Sequence, residues 1–429
     1  MSFSVIHGWR VMRARLRHSR VLHPQTREDR NELYFYLNTG MFGFATGGIM
    51  AFLPVFLARL GASSSALGWL NAAPALLAVV LLIPGAMVAE RSTDQVRVRV
   101  RSAFLIKVTY LLCGLVPFFV PPERYDILPA ILIVIWLLKS FPDSVALPAW
   151  TSVMARGFSP RRRARVNAVR WAIMSLASAI GSVLFGQVLE RIAFPVNYQV
   201  VFLLSFALSV FDPIFFSKVQ VDPSTIPQLQ ERSTPWSRLA EYVRPAFSYR
   251  PFVRYLLATG PYRIALQMGA PLFSLFWVNE LAATDGLLGF RGMLGSLALV
   301  VGYVIWGQMA GRWGHRRVLF VGAVGVAAYV LMTALSPSPW WLLPAAVLWG
   351  VSVPGVDLGL FDLMLGACPE ERQPLFGAVW SMVASLAMFA GPLIGAWLGA
   401  AMGLAPGLMV VAALQLVTTA PFVVLPRDG

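Results

Sequence analysis

Four ionisable side chains interrupt long apolar runs, and they are the natural starting point for any chemistry. Lys139 and Asp143 stand four residues apart, so a helix through them puts an ammonium and a carboxylate on one face. Arg263 and Asp357 lie in two other runs. A charge at mid-bilayer costs about 2.5 to 3.5 kcal/mol even on the mild insertion scale, so each is a functional candidate. Their formal charges cancel, as in a network that re-pairs when a solute or proton arrives, with Asp143 or Asp357 as the proton-linked group. Lys139 could also simply neutralise Asp143 within its own helix. An apolar pair would be cheaper than a buried ion pair, which favours the functional role.

Other chemistries find little support. Cys113 and Cys368 cannot make a disulfide framework and read as reduced packing residues. His7, His18, His23 and His315 lie outside the apolar runs, so neither a buried metal site nor a histidine proton relay is expected. None of the three lysines follows a glycine in a phosphate-loop pattern, and no nucleophile elbow or metalloprotease signature occurs. The expectation is no enzyme, no cofactor and no metal.

The elements that must carry these residues follow from composition. Of 429 residues 57% are hydrophobic and 13% charged, against about 45 to 50% and about 25% in soluble domains. A spanning helix needs about 20 apolar residues. Runs of that length occupy 33–58, 66–89, 102–120, 127–155, 166–188 and 198–218, then 252–277, 286–310, 317–335, 340–366, 374–399 and 404–425. Backbone groups in lipid must bond within their own segment, so the runs are helices, and no ten-residue alternation indicates a barrel. The fold class is an all-α integral membrane protein with twelve spans as two pseudo-symmetric six-helix bundles. The divisions are a basic N-terminal segment 1–32, a first bundle 33–218, a polar linker 219–251, a second bundle 252–425 and a short tail 426–429.

Lys and Arg crowd one side of this topology. Only Arg59, Arg124 and Arg191 fall opposite, with Lys139, Arg263 and Arg291 within spans. The positive-inside rule then puts both termini in the cytoplasm, in a plasma membrane, with a bacterial inner membrane favoured. The net charge of +15 is spread over alternating loops, which fits topology and anionic lipid better than nucleic acid. Residues 1–32 carry seven Arg and read as an interfacial amphipathic helix, a disordered basic tail or a transit peptide.

The halves repeat. A shift of 209 (369 minus 160) superposes Pro160 on Pro369, Arg163 on Arg372, Trp171 on Trp380, Leu184 on Leu393 and Gly186 on Gly395. These matches surround equivalent loops on either side of the linker, as a duplicated bundle requires. Lys139 and Asp143 have no counterpart, because Leu348 and Ser352 stand there.

The stretch Gly307-Gln-Met-Ala-Gly311-Arg312-Trp-Gly314-His-Arg316-Arg317 resembles the loop signature Gly-x-x-x-Asp-Arg-x-Gly-Arg-Arg of the major facilitator superfamily. Its acidic position is Gly311 here. The first-half loop, Ala86-Met-Val-Ala-Glu90-Arg91, keeps the acid and the arginine, so the resemblance makes Glu90 and Arg91 the surviving gate pair, and an ordinary interfacial ion pair is the equal alternative. It also implies that helices one, four, seven and ten line a central cavity, which would bring Lys139, Asp143, Arg263 and Asp357 together. The same helices carry Gly47-Gly48 and Pro54, Pro142 and Pro148, Gly260-Pro261 with Gly269 and Pro271, and Pro354-Gly355. Interruptions at matching positions point to a midplane site. Asn38, Thr39, Tyr262 and Gln267, with Trp136 and Trp349, are candidate lining groups, each readable also as packing. Gly391-Pro392 looks like the antiporter motif of the superfamily, although on helix eleven instead of five.

The reading is a proton-coupled secondary transporter, a multi-pass permease that moves a small molecule by alternating access with a lean to efflux, in contact with membrane lipids and monomeric. The alternatives are an uptake symporter for a sugar or organic ion, and a non-transporting sensor or lipid-handling scaffold on the same fold.

Overall fold

A computed structural model describes residues 24–223, 243–369 and 373–425, and every regular element among them is helical. Most of the basic segment, the middle of the linker and the tail 426–429 lie outside the described residues. The first bundle contains α1 (Arg27–Arg59), α2 (Ser64–Glu90), α3 (Gln95–Phe118), α4 (Leu128–Gly157), α5 (Pro160–Arg191) and α6 (Val196–Phe216). The second contains α7 (Arg250–Met268, continued by Ala270–Leu275), α8 (Asp285–Trp313), α9 (His315–Ala334), α10 (Pro339–Gly366), α11 (Gln373–Met402) and α12 (Leu404–Val424). Eleven described helices are long and apolar enough to cross a membrane. The twelfth, α7, is broken at Gly269 and carries Arg250, Arg254 and Arg263.

Helix starts follow from capping side chains that satisfy orphan amides. Thr26 and Asp29 form a reciprocal capping box on α1. Ser63 accepts from Ala66 N at 3.2 Å, Asp94 from Arg97 N at 2.9 Å and Thr284 from Leu287 N at 3.3 Å. Gly314, with φ 79°, joins α8 to α9, a left-handed conformation that disfavours a side chain.

Breakers shape the helices that hold the candidate charges. Pro142 has no N–H for the Leu138 carbonyl, and α4 is interrupted at Lys139. Helix α1 widens into a π-turn over Thr46–Met50, with Gly48 outside helical angles and Ile49 N bonded instead to Ser205 Oγ at 3.2 Å.

The helix starts bearing Arg97, Arg162 and Arg316 mark a basic end of the molecule, and the connections at Arg59 and Asp285 mark the far end. Toward the far end the bundles meet tightly, α5 on α8 and α2 on α11. A Cβ on Gly186 would come within 3.0 Å of Gly289 Cα, and one on Gly68 within 2.8 Å of Ala396 Cβ, so these helices touch because side chains are missing. Toward the basic end a Cβ on Gly260, Gly307 or Gly311 would meet nothing within 4 Å. Large apolar side chains such as Leu105, Val134, Leu257 and Val304 are more than half exposed on the perimeter, as a lipid-facing surface requires.

Candidate functional site

Lys139 stands at the break in α4, where its Nζ donates to Asp143 Oδ2 at 2.9 Å and lies 4.9 Å from the Trp136 ring centroid. The lysine is 16% exposed and the aspartate 44%, so the carboxylate keeps an open face. In the second bundle the Arg263 guanidinium sits 4.5 Å from the Trp380 ring centroid on α11. Trp380 Nε1 donates to the Tyr255 oxygen at 3.0 Å, and Tyr255 in turn donates to Leu360 O at 2.7 Å, which fixes the platform beneath Arg263. Asp357 Oδ2 accepts from the Tyr303 hydroxyl of α8 at 3.0 Å.

The four charges therefore do not form one network. Among the described residues no ion pair joins Arg263 or Asp357 to each other or to Lys139 or Asp143. Asn38 is buried inside the first bundle, its amide donating to Asp212 O at 3.2 Å and to the Asp212 carboxylate, and Thr39 is buried beside it. Tyr262 is buried edge-on to Phe422, and Gln267 lies against α11 at Gly391. All four lining candidates are thus engaged in helix packing to some degree.

Glu90 ends α2, and its side chain lies outside the described residues; Arg91 and Arg312 are exposed. Arg316 donates to Val423 O at 3.1 Å and Leu425 O at 3.2 Å, satisfying carbonyls at the end of α12. Arg317 is exposed. Where the signature has lost its acid at Gly311, a carboxylate comes from elsewhere. His315 Nδ1 lies 2.9 Å from Asp362 of α10.

Sequence reasoning missed the most buried charge pair. Lys107 of α3 and Asp212 of α6 are 2.9 Å apart and 2% and 1% exposed. Arg99 reaches the same carboxylate at 3.9 Å. Tyr110, one turn beyond Lys107, stacks on Trp136 with centroids 5.9 Å apart, so this pair and Lys139 share an aromatic wall. Lys107 and Arg170 follow basic loops closely enough in sequence to read as loop cations, yet both stand inside helices. The missed signal was an acidic residue, Asp212, within the sixth apolar run. At the basic end Arg162 reaches Glu32 at 2.6 Å, Glu28 at 3.4 Å and Asp29, tying the start of α5 to that of α1.

At the far end a second cluster joins the bundles. Arg59 at the end of α1 donates to Asp285 Oδ1 at 2.7 and 2.9 Å and to Ala283 O at 2.8 Å. Tyr198 of α6 donates to the same carboxylate at 2.7 Å, and Glu190 of α5 accepts from Gly286 N at 3.1 Å, at the start of α8. A cleft of about 570 Å³ opens here, lined by Arg59, Glu190, Asn197, Asn279 and Asp285, away from the midplane charges.

Comparison with known proteins decides the family. The sequence model described as Major Facilitator Superfamily matches residues 35–264 and 255–429, nearly the whole chain. The chain belongs to the Major Facilitator Superfamily. It is 28% identical over 189 residues to the uncharacterized MFS-type transporter YuxJ of Bacillus subtilis, 42% of this chain and 45% of that one. It is 26% identical over 131 residues to a Na(+), Li(+), K(+)/H(+) antiporter of Planococcus maritimus, 29% of this chain and 30% of that one. The matches thus span less than half of each curated relative. Solved superfamily folds superpose on almost all of the chain. A POT family transporter in complex with 5-aminolevulinic acid gives a TM-score of 0.71 at 11% identity, covering 92% of this chain and 96% of that one. The nucleoside transporter NupG gives 0.68 at 11% identity, covering 93% and 99%. At such identities the likeness shows the fold alone.

Proposed function

We propose that the protein is a proton-coupled secondary transporter that works by alternating access, with its basic end in the cytoplasm. The observation that carries this reading is the unequal closure of the two ends. Glycine-mediated packing and the Arg59–Asp285 bridge hold the bundles together at the far end, whereas among the described residues no ion pair joins them at the basic end. Such one-sided closure is what a rocking pair of bundles presents when its site faces the cytoplasm.

Lys139 with Asp143 and Arg263 with Asp357 are the groups we assign to the site. Each carboxylate has a partner that can release it. Asp143 shares its charge with Lys139, and Asp357 accepts from a neutral tyrosine. Proton arrival at one of them frees its partner for the solute, and the exchange couples the two movements. The Gly391-Pro392 segment of α11 supports exchange in the efflux direction.

A thermal-shift screen of sugars, organic ions, drugs and phospholipids selects a solute, and uptake of that solute into proteoliposomes is then measured with and without a pH gradient. We expect the gradient-driven component to vanish in Asp143→Asn, in Asp357→Asn or in both. Undiminished gradient-driven transport in both variants would overturn the coupling role. Absence of any transported solute, with co-purifying protein partners instead, would favour a sensor.

A further inference from the structure

Around Asp212 the first bundle gathers more positive charge than it neutralises. Lys107 pairs with the carboxylate at 2.9 Å and Arg99 approaches it at 3.9 Å. Arg170 of α5 stands over Trp150, which packs in the same apolar cluster as the Phe216 beside Arg99, and it has no carboxylate of its own within ion-pair distance among the described residues. Three cations thus face one anion, and buried charges without partners are disfavoured. Arg162 shows that this fold does pair its arginines, with three carboxylates around one guanidinium.

The two arginines are held in a way that leaves their edges free. Arg99 lies 5.4 Å from the Phe216 ring centroid, and Arg170 lies 4.5 Å from that of Trp150 and 5.9 Å from that of Trp171. Rings satisfy guanidinium faces but accept no in-plane hydrogen bond. Arg99 Nη1 and Arg170 Nε are both buried without a hydrogen-bond partner. Guanidinium N–H donors without an acceptor fit carboxylate and phosphate oxygens.

We infer that Arg99 and Arg170 form an anion-binding site in the basic half of the first bundle, where a carboxylate or phosphate group supplies the missing negative charge. The group belongs to the transported solute, which makes that solute an anion; this last step rests on the transporter reading above. A lipid headgroup offers the same chemistry. Binding needs no transport, so the site can fail while the transporter reading stands, and the reverse.

The test is calorimetric titration of inorganic phosphate into the full-length protein in phosphatidylcholine nanodiscs, at ionic strength fixed with sodium chloride. Saturable binding is expected, weakened at least tenfold in Arg99→Gln and Arg170→Gln and unchanged in Arg124→Gln at the far end. Arg170→Lys keeps the charge, so retained binding there against loss in Arg170→Gln separates charge from misfolding. If phosphatidylglycerol in the nanodisc blocks phosphate, the anion is a lipid headgroup, and the assignment to the solute falls. No saturable binding to the native protein, or equal affinity in Arg170→Gln, overturns the site.

Discussion

At the scale of single residues, the buried charges do not contribute symmetrically. Lys107→Met removes one of two cations at Asp212 but leaves Arg99 at 3.9 Å, so the carboxylate keeps a counter-charge. Asp212→Asn removes the one carboxylate that pairs with Lys107 and Arg99 among the described residues and leaves like charges together. Breaking a buried pair costs about 3 to 5 kcal/mol. We therefore expect Lys107→Met at the lower end of that range and Asp212→Asn beyond it, measured by thermal unfolding in nanodiscs. Equal losses, or the reverse order, would count against the surplus of positive charge. The contrast with Lys139 and Asp143 shows what a sequence discloses. Those two share one helix face, so spacing alone pairs them. Lys107 pairs across two helices, and it follows Arg97, Arg99 and Arg101 closely enough to read as one more loop cation. Only packing of α3 on α6 reveals its partner.

At the scale of elements, the helices were legible and their contacts were not. Length and apolarity locate the twelve spans, because lipid requires every backbone group to bond internally. Pro142 marks the break in α4 directly, since a missing N–H acts locally. Which helices cross the gap between bundles depends instead on small residues meeting in space. Gly186 and Gly289 lie 103 residues apart (289 minus 186), and nothing local pairs them, yet a Cβ on Gly289 would run into the Ser182 carbonyl. Overpacking costs about 1 to 3 kcal/mol. Gly289→Leu is therefore expected to force α8 from α5 at the far end and to slow transport at least tenfold, read by initial rates in proteoliposomes. Transport and thermal stability at native levels would show that the close approach is incidental.

At the scale of the whole molecule, alternating access requires that the far-end closure be firm enough to hold and weak enough to open. Arg59 and Asp285 are 25% and 9% exposed, so their bridge is partly screened, yet the carboxylate also accepts from Tyr198. A charged hydrogen-bonded pair of this kind is worth about 1.5 to 3 kcal/mol. Since about 1.4 kcal/mol is a factor of ten in an equilibrium, its loss is expected to raise the population open at the far end by at least about tenfold. A cysteine in place of Ser182, 3% exposed where α5 meets α8, reports this opening once Cys113 and Cys368 are replaced. Labelling by an impermeant maleimide should quicken at least about tenfold in Arg59→Gln and in Asp285→Asn. Both substitutions break one bridge, so the double variant should label no faster than either alone. Additive gains would mean that the two residues hold the end by separate contacts, and unchanged labelling in all three would leave closure to the glycine interface.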